Sequence, residues 1–486
     1  MFDTLNSDTH DRKTGLWNTL KTRSKSASSH IHHAFERFNN NRINVGITGF
    51  SRSGKTTLIT SLLYQLLNHQ NAALAAFSPI IQGQMLGARW GSLNNSDILF
   101  PYSSGIEALS TPIPQWPAPT SQETSCLLEL RLKPKSHLIP IARKPFEQLQ
   151  IAIHDYPGEW LIDIPMAGMS FRQWSHQWRQ LLNKPPRQEL AREFLSKITA
   201  INPLEPWSEP SLERIFNSYR QFIHDCRKKA GLTLIQPGML CFGQPPKSTP
   251  VFFPLPGIET ISTSPANPLP ENCWLSELER RYRQYTETMI KPFIKRCLTD
   301  IDKQLVLVDV ISGLSHGPDS LEDIRQSLMQ VMQIFSYGKN NWLSRLFKPK
   351  IEQLIIGATK VDQVLPGQHE AVRQLTAALV RDAYQKASFC NIQVACEAIA
   401  SVRSSTVFTI NGQERLTGTT LEGHYGEMWH PQLPDQIPEA ADWQRLAGWQ
   451  PRSLLPPKNL KLTQGGRLPH IRLDILINQL IGDICQ

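Results

Sequence analysis

No run in this chain approaches the 18 or so consecutive apolar residues that crossing a bilayer requires, so no membrane-spanning helix is expected. The opening MFDTLNSDTHDRKTG lacks an apolar h-region and does not predict a secretory signal. Cysteine is sparse: eight residues, at 126, 226, 241, 273, 297, 390, 396 and 485, with no C-x-x-C pair. Thiols spread so thinly over 486 residues predict reduced, mostly buried side chains in a cytoplasmic protein and exclude a small disulfide scaffold. Internal repeats, RNA-binding sheet motifs and helix-turn-helix signals are absent, which leaves nucleic acid unsupported as a partner. Charge is modest: 51 Lys and Arg against 42 Asp and Glu, a net +9 that permits an acidic partner without requiring one. Glycine, at 27, is scarcer than proline, at 36. The prolines gather in 101–119, 236–272 and 431–457, which predicts long surface excursions and not disorder.

What is present is enough apolar matter, 40% of the residues, for a sizeable core, and a length that predicts roughly three structural units. Residues 1–41 are polar and mildly basic and read as a weakly ordered arm or a peripheral helix; His30, His32 and His33 there read as solvated residues, not a metal site. Ile43, Val45 and Ile47 then alternate as in a strand. A glycine-rich turn follows, and Leu58, Leu62, Leu63, Leu66 and Leu67 mark the apolar face of a helix. Residues 70–124 show little periodicity. Strands are predicted at 127–132 and 149–153, and helices over 170–231 and 273–303, separated by the proline-rich connector 236–272. Alternation then resumes, with strands at 304–310, 353–357 and 391–398, helices at 319–336 and 368–387, a hairpin turn at Asn411-Gly412 and a last helix near Ile471–Ile484.

This alternation predicts an α/β fold, a mostly parallel sheet with helices on both faces and a large inserted helical region. The expected organisation is the arm 1–41, a nucleotide-binding core of 42–165 and 303–430, an inserted mainly helical domain 166–302, and a C-terminal segment 431–486 packing on the core.

The sharpest local signal is Gly49-Phe50-Ser51-Arg52-Ser53-Gly54-Lys55-Thr56, a G-x-x-x-x-G-K-[ST] pattern set between strand and helix. Glycines let the backbone approach phosphate closely enough for its N–H groups to face the oxygens. The helix that follows adds its positive end. Ser51, Arg52, Ser53, Gly54, Lys55, Thr56 and Thr57 are therefore nucleotide-binding candidates, with Lys55 set to neutralise β/γ-phosphate charge and Thr56 to ligate Mg²⁺. Arg52 has two readings, a built-in arginine finger or a solvent-facing loop residue. Asp155, at the end of the strand that closes on Ile153, can hold Mg²⁺ through water, and Gly158 can offer its N–H to a γ-phosphate. Thr359-Lys360-Val361-Asp362 follows the apolar Leu354-Ile355-Ile356 and falls on the same sheet edge. A carboxylate there accepts two hydrogen bonds from guanine N1–H and its 2-amino group, a donor pair adenine lacks, and the Lys360 stem can cover the base.

In the order GFSRSGKT, DYPG, TKVD the chain resembles the Ras-like GTPases. GITGFSRSGKTTLITSLL and HDYPGEWL resemble the YcjX family of bacterial stress-associated P-loop proteins, over nearly the whole length. The resemblance implies a Ras-like P-loop NTPase that binds GTP or GDP with Mg²⁺, hydrolyses GTP slowly or under partner control, and works as a switch in a bacterial stress response. It implies a cytoplasmic protein with an unidentified protein partner, an inner-membrane protein of that response being one candidate, and hence peripheral attachment to that membrane. It also implies a threonine that touches Mg²⁺ shortly before the second strand: Thr120, with Thr111 and Thr124 as competitors. Ala400-Ser401-Val402 resembles the loop whose backbone N–H meets guanine O6, which adds Ser401 and Val402.

Two departures stand out. Thr359 occupies the usual place of an asparagine, and Glu159 that of a water-orienting glutamine. A carboxylate beside a γ-phosphate is repelled unless protonated or turned away, so Glu159 is a catalytic candidate with a surface carboxylate as the alternative. Lys55, Glu159 and Thr120 form the catalytic set, and Thr56, Asp155 and Thr120 the metal set. A P-loop ATPase or small-acceptor kinase is the second reading, although Arg179, Arg187 and Arg192 form no recognisable lid. A non-hydrolysing nucleotide-binding scaffold is the third. The stretch 342–350 mixes basic and aromatic residues and reads as a packed loop, with membrane or acidic-partner contact as the alternative.

Overall fold

The computed structural model describes residues 42–50, 52–93, 97–120, 122–133, 147–242, 249–261, 269–336, 351–389 and 392–485. The arm 1–41 with its histidines, the stretch 342–350, Cys390 and Ser51 lie outside the described residues.

Period-two apolar patterning builds a sheet that is buried on both sides. In β5 (Lys303–Val308), Leu305 and Leu307 face one apolar cluster while Val306 and Val308 face another. The same division runs through β6 (Gln353–Ala358), with Ile355 on the first side and Leu354 and Ile356 on the second. These strands are near-continuous apolar runs, as parallel strands covered on both faces should be. With β1 (Arg42–Gly49), β2 (Met85–Trp90), β3 (Thr124–Leu132), β4 (Glu147–Asp155) and β7 (Gln393–Ala398) they form a seven-stranded sheet in the order β2-β3-β4-β1-β5-β6-β7. Neighbours from β4 to β7 pair in parallel, whereas β3 runs antiparallel to β4 and β2 to β3. The predicted α/β, mostly parallel, Ras-like P-loop architecture is the one observed.

One face is covered by α1 (Lys55–Leu67), through Leu58, Ile59, Leu62, Leu63 and Leu66, and by the C-terminal helix Leu473–Ile477. The other carries α2 (Gly158–Asp163) and the helical insert, including α3 (Glu209–Lys229). The insert's aromatic residues Trp174, Trp178, Tyr219, Phe222, Tyr282 and Tyr285 belong to the same continuous cluster as Val306 and Leu354 of the sheet. The insert thus shares the core of the sheet's second face. Among the described residues no helix is long and apolar enough to cross a membrane.

Several boundaries differ from the sequence reading. The aperiodic stretch 70–124 holds the edge strand β2 and a helix at Tyr102–Ser110. β2 escapes a period-two test because most of MLGARW is exposed or half-buried on both faces. β5 stops at Val308, since Asp309 caps a short helix by accepting from Ser312 N–H at 2.9 Å. The helix expected at 368–387 is two, His369–Leu379 and Arg381–Phe389. The Asn411-Gly412 turn joins β8 (Thr406–Ile410) to β9 (Gln413–Thr419), and β10 (Tyr425–Met428) completes a separate antiparallel sheet. Both turn residues have positive φ, 50° and 77°, which a two-residue hairpin of this hand requires.

Candidate functional site

The phosphate loop forms where β1 ends. Arg52 (φ 63°) and Gly54 (φ 79°) take left-handed backbone conformations, and Ser53 N–H closes the turn on Phe50 C=O at 3.0 Å. For Arg52 this conformation costs on the order of 1 kcal/mol or more, the sort of strain found at ligand clamps. Gly54 precedes α1 and has no side chain to cap it, so the first N–H groups of α1 stay available to an anion.

Four oxygen-bearing side chains and one lysine meet at the start of α1. Lys55 Nζ contacts Asp155 Oδ1 and donates to Thr120 Oγ1 at 3.2 Å. The Thr120 hydroxyl donates to Asp155 Oδ2 at 2.9 Å and lies 3.5 Å from Thr56 Oγ1, while Thr120 N–H points to Thr56 Oγ1 at 3.4 Å. Thr124, within β3, donates to the same carboxylate oxygen at 3.1 Å. Of the three threonine candidates, Thr120 is the one brought to Lys55, Thr56 and Asp155 together. Thr111 is exposed and bonds only to the carbonyls of Ala108 and Ile113 beside it. Two hydroxyls and a carboxylate are hard oxygen donors that suit Mg²⁺, which takes few protein ligands and leaves places for phosphate and water. Among the described residues no group of three His, Cys, Asp or Glu could hold a metal instead.

Gly158 sits hard against the phosphate loop. A Cβ there would lie 2.6 Å from the Gly49 carbonyl carbon, closer still to its oxygen, and 3.1 Å from Phe50 N. Glu159, next in sequence, is not a free surface carboxylate. It pairs with Arg227 of α3 at 3.0 Å, and the guanidinium carbon of Arg227 lies 4.3 Å from the centre of the Phe242 ring. The far end of α2 is tied to the insert as well. Buried Asp163 accepts from the N–H groups of Gly238 and Met239, both at 2.8 Å, and from the Tyr285 hydroxyl at 2.7 Å. Burial outweighs these donors and pushes its carboxyl up to about 7.

The third constellation forms a cavity of about 370 Å³ beside the phosphate loop, lined by Arg52, Ser53, Thr57, Thr359, Lys360, Asp362, Ser401 and Val402. Lys360 adopts a left-handed conformation (φ 61°) and donates to Asp309 Oδ2 at 2.6 Å, which leaves its stem along the wall. Asp362 is buried and accepts from Ser404 N–H at 2.9 Å, and burial pushes its carboxyl up to about 6. The Ser401 loop is fixed to α1 by the Ser61 hydroxyl, which donates to Ser401 C=O at 2.7 Å.

Apart from Ser51, which lies outside the described residues, and the competing Thr111, the candidates from the sequence lie on the phosphate loop, beside it or along the cavity wall. Missing from the sequence reading are Trp116, Gln363, Leu421, Ser453 and Leu454, which also line the cavity. Trp116 donates its indole N–H to Leu454 C=O at 2.7 Å. Trp116 had a signal, an aromatic residue four positions before Thr120 in a proline-rich loop. Leu421 and Leu454 had none, because only tertiary folding brings their segments back over the phosphate loop.

A phosphate loop on a parallel sheet, with a strand-end aspartate and a base-sized cavity on the same edge, defines a P-loop protein of Ras-like architecture. The model described as "YcjX-like family, DUF463" matches residues 43–485, and the chain belongs to that family. It is 34% identical over 450 residues to a protein named "Ras-like GTPase YcjX" from Escherichia coli (strain K12), an alignment covering 91% of this chain and 95% of the relative. A protein of the same name from Shewanella oneidensis is 30% identical over 458 residues, covering 91% and 94%. The chain is thus a GTPase-type P-loop protein.

Proposed function

We propose that the protein binds GTP and GDP with Mg²⁺ and hydrolyses GTP slowly, as a nucleotide-controlled switch in a bacterial stress response. The observation that carries the guanine assignment is the buried carboxylate of Asp362, set in a base-sized cavity that adjoins the phosphate loop. A buried acceptor beside a donor pair discriminates strongly, since a base without those donors leaves the carboxylate unpaired. Thr359 holds the strand end through its N–H to Val308 C=O at 2.9 Å, and Ser401 and Val402 line the same cavity, where their backbone would meet the base edge.

In the loaded state the loop from Arg52 to Gly54 and the first turn of α1, through Thr57, surround the phosphates. Lys55 exchanges its Asp155 partner for β/γ-phosphate oxygens, which couples nucleotide arrival to rearrangement of Asp155 and Thr120. Thr56 and Thr120 would hold Mg²⁺ directly and Asp155 through water. Bound there, the ion supplies positive charge to the β- and γ-phosphate oxygens. Gly158 N–H turns to the γ-phosphate, and Glu159 orients the attacking water. A protein partner, an inner-membrane protein being one candidate, would read the state of the loop before Thr120 and of α2.

A second reading, a nucleotide-binding scaffold that does not hydrolyse, draws on the same Glu159–Arg227 pair, which points the carboxylate toward the insert. Single-turnover cleavage of GTP and ATP, with Mg²⁺ and with chelator, separates the readings. The switch predicts cleavage of GTP that requires Mg²⁺ and exceeds that of ATP. GTP bound but uncleaved supports the scaffold, and equal cleavage of both supports an ATPase.

A further inference from the structure

The unexplained group near the phosphate loop is Arg227. It belongs to the last turn of α3, in the insert, where basic residues usually face solvent and complement the helix end. Here the side chain is largely covered, paired to Glu159 and stacked on Phe242. A second cavity, of about 290 Å³, is lined by Phe50 and Arg52 of the phosphate loop together with Arg227 and Lys228. Gly158, adjacent to the Glu159 partner, is packed on Gly49 itself. Arg227 therefore shares a cavity with the loop that would carry the γ-phosphate, on a flexible stem and paired to one carboxylate.

Its surroundings hold it poised. Burial weighs against its charge and nearby Arg52 adds repulsion, while Glu159 is the opposing favourable partner. A triphosphate in the loop would bring several negative charges to the same cavity and offer the guanidinium a stronger partner than one carboxylate.

We propose that Arg227 is a catalytic residue supplied by the insert: its guanidinium leaves Glu159 and bonds the β–γ bridging and γ-phosphate oxygens as GTP is hydrolysed. In that step the water oxygen forms a bond to the γ-phosphorus and the bond from that phosphorus to the bridging oxygen breaks. The electron pair passes to the terminal oxygen of GDP; one proton of the water stays on its oxygen and the other passes to another oxygen of the released phosphate. Arg227 neutralises the charge that grows on the bridging oxygen, and the freed Glu159 faces the water. The proposal rests on the GTPase reading and deepens it, since it gives the insert a part in the chemistry.

The test uses the full chain and two variants. R227M keeps the stem over Phe242, and R227K keeps the charge without the planar fork. Single-turnover GTP cleavage, GTP affinity and capture of GDP with aluminium fluoride, a mimic of the transferring phosphoryl group, are measured for each. The expected result is cleavage slower by about 100-fold or more in R227M, GTP affinity within threefold of wild type, and loss of the GDP–aluminium fluoride complex. R227K should fall between the two, and serves alone if R227M does not fold. Cleavage and capture at wild-type levels in the variants would overturn the proposal while leaving the GTPase reading intact. So would a loss of cleavage that follows lost GTP affinity. A wild-type protein that binds GTP but does not cleave it would overturn hydrolysis and the role of Arg227 together.

Discussion

Adding one methyl group at Gly158 tests whether the strand-end glycine and the phosphate loop form a single unit. Gly158 does not have a positive φ, so alanine brings no backbone strain of its own, and the effect is steric. The new Cβ would fall 2.6 Å from the Gly49 carbonyl carbon, against an ordinary carbon–carbon contact of about 3.5 Å. The shortfall of roughly 0.9 Å cannot be met by a side chain swinging away, because the opposing atoms are backbone. Gly49 is registered against Leu307, and Phe50 N–H bonds Leu307 C=O at 3.0 Å, so the loop is held from behind. The start of α2 must move instead. Overpacking of this kind costs about 1–3 kcal/mol, which in a chain of this size lowers the melting temperature by about 1–3 °C. The larger effect falls on nucleotide discrimination. If Gly158 N–H donates to a γ-phosphate, displacing it removes a charge-assisted hydrogen bond of about 1.5–3 kcal/mol, or about 10- to 100-fold in the preference for GTP over GDP. The assay is a pair of fluorescence titrations with GTP and GDP alongside a thermal melt. Gly367→Ala is the control, since nothing lies within 4 Å of its added Cβ. If Gly158→Ala melts with wild type and keeps its GTP preference, the packing of Gly158 on the loop is refuted as a source of either property.

Three further outcomes are expected. Thr120→Ala should weaken Mg²⁺-dependent GTP binding about tenfold, measured by titration with and without chelator, whereas Thr111→Ala should leave it unchanged. Stability should fall as pH rises from about 5 to 8 through the contribution of Asp163: burial pushes its folded carboxyl up to about 7, above the ordinary aspartate value, so the folded state holds the extra proton in that window. Urea unfolding at pH 5 and pH 8 should show that difference shrinking in Asp163→Asn. GTP affinity should drop as pH falls through about 6, where Asp362 takes up a proton and loses its capacity to accept from the base, and Asp362→Asn should remove that dependence.

The sequence exposed the site better than the fold around it, for physical reasons that differ by residue. Lys55, Asp155 and Asp362 were legible because each follows an apolar strand, and parallel strands deliver their ends to one edge of the sheet. Thr120 could be chosen only by its place before β3, and its contacts with Lys55 and Asp155 depend on how the preceding loop returns. β2 was silent because an exposed edge strand needs no alternation. The helical pattern of the insert marked which face of α3 is apolar, with Leu212, Phe216, Tyr219 and Phe222 buried, but not that Trp178 and Phe194 of the insert pack on it. The Glu159–Arg227 pair left no trace either, since a salt bridge between distant segments has no period and no composition.

The central claim is that Asp362 reads guanine. Replacing it by asparagine exchanges an acceptor for a side chain that also donates, which suits the 2-oxygen of xanthine in place of the 2-amino group of guanine. Titration of wild type and Asp362→Asn with GTP, ATP and XTP in Mg²⁺ tests this most directly. The account predicts that wild type prefers GTP over both, and that the variant loses GTP affinity while gaining XTP. Equal binding of GTP and ATP by wild type, or an unaltered base preference in the variant, would contradict it.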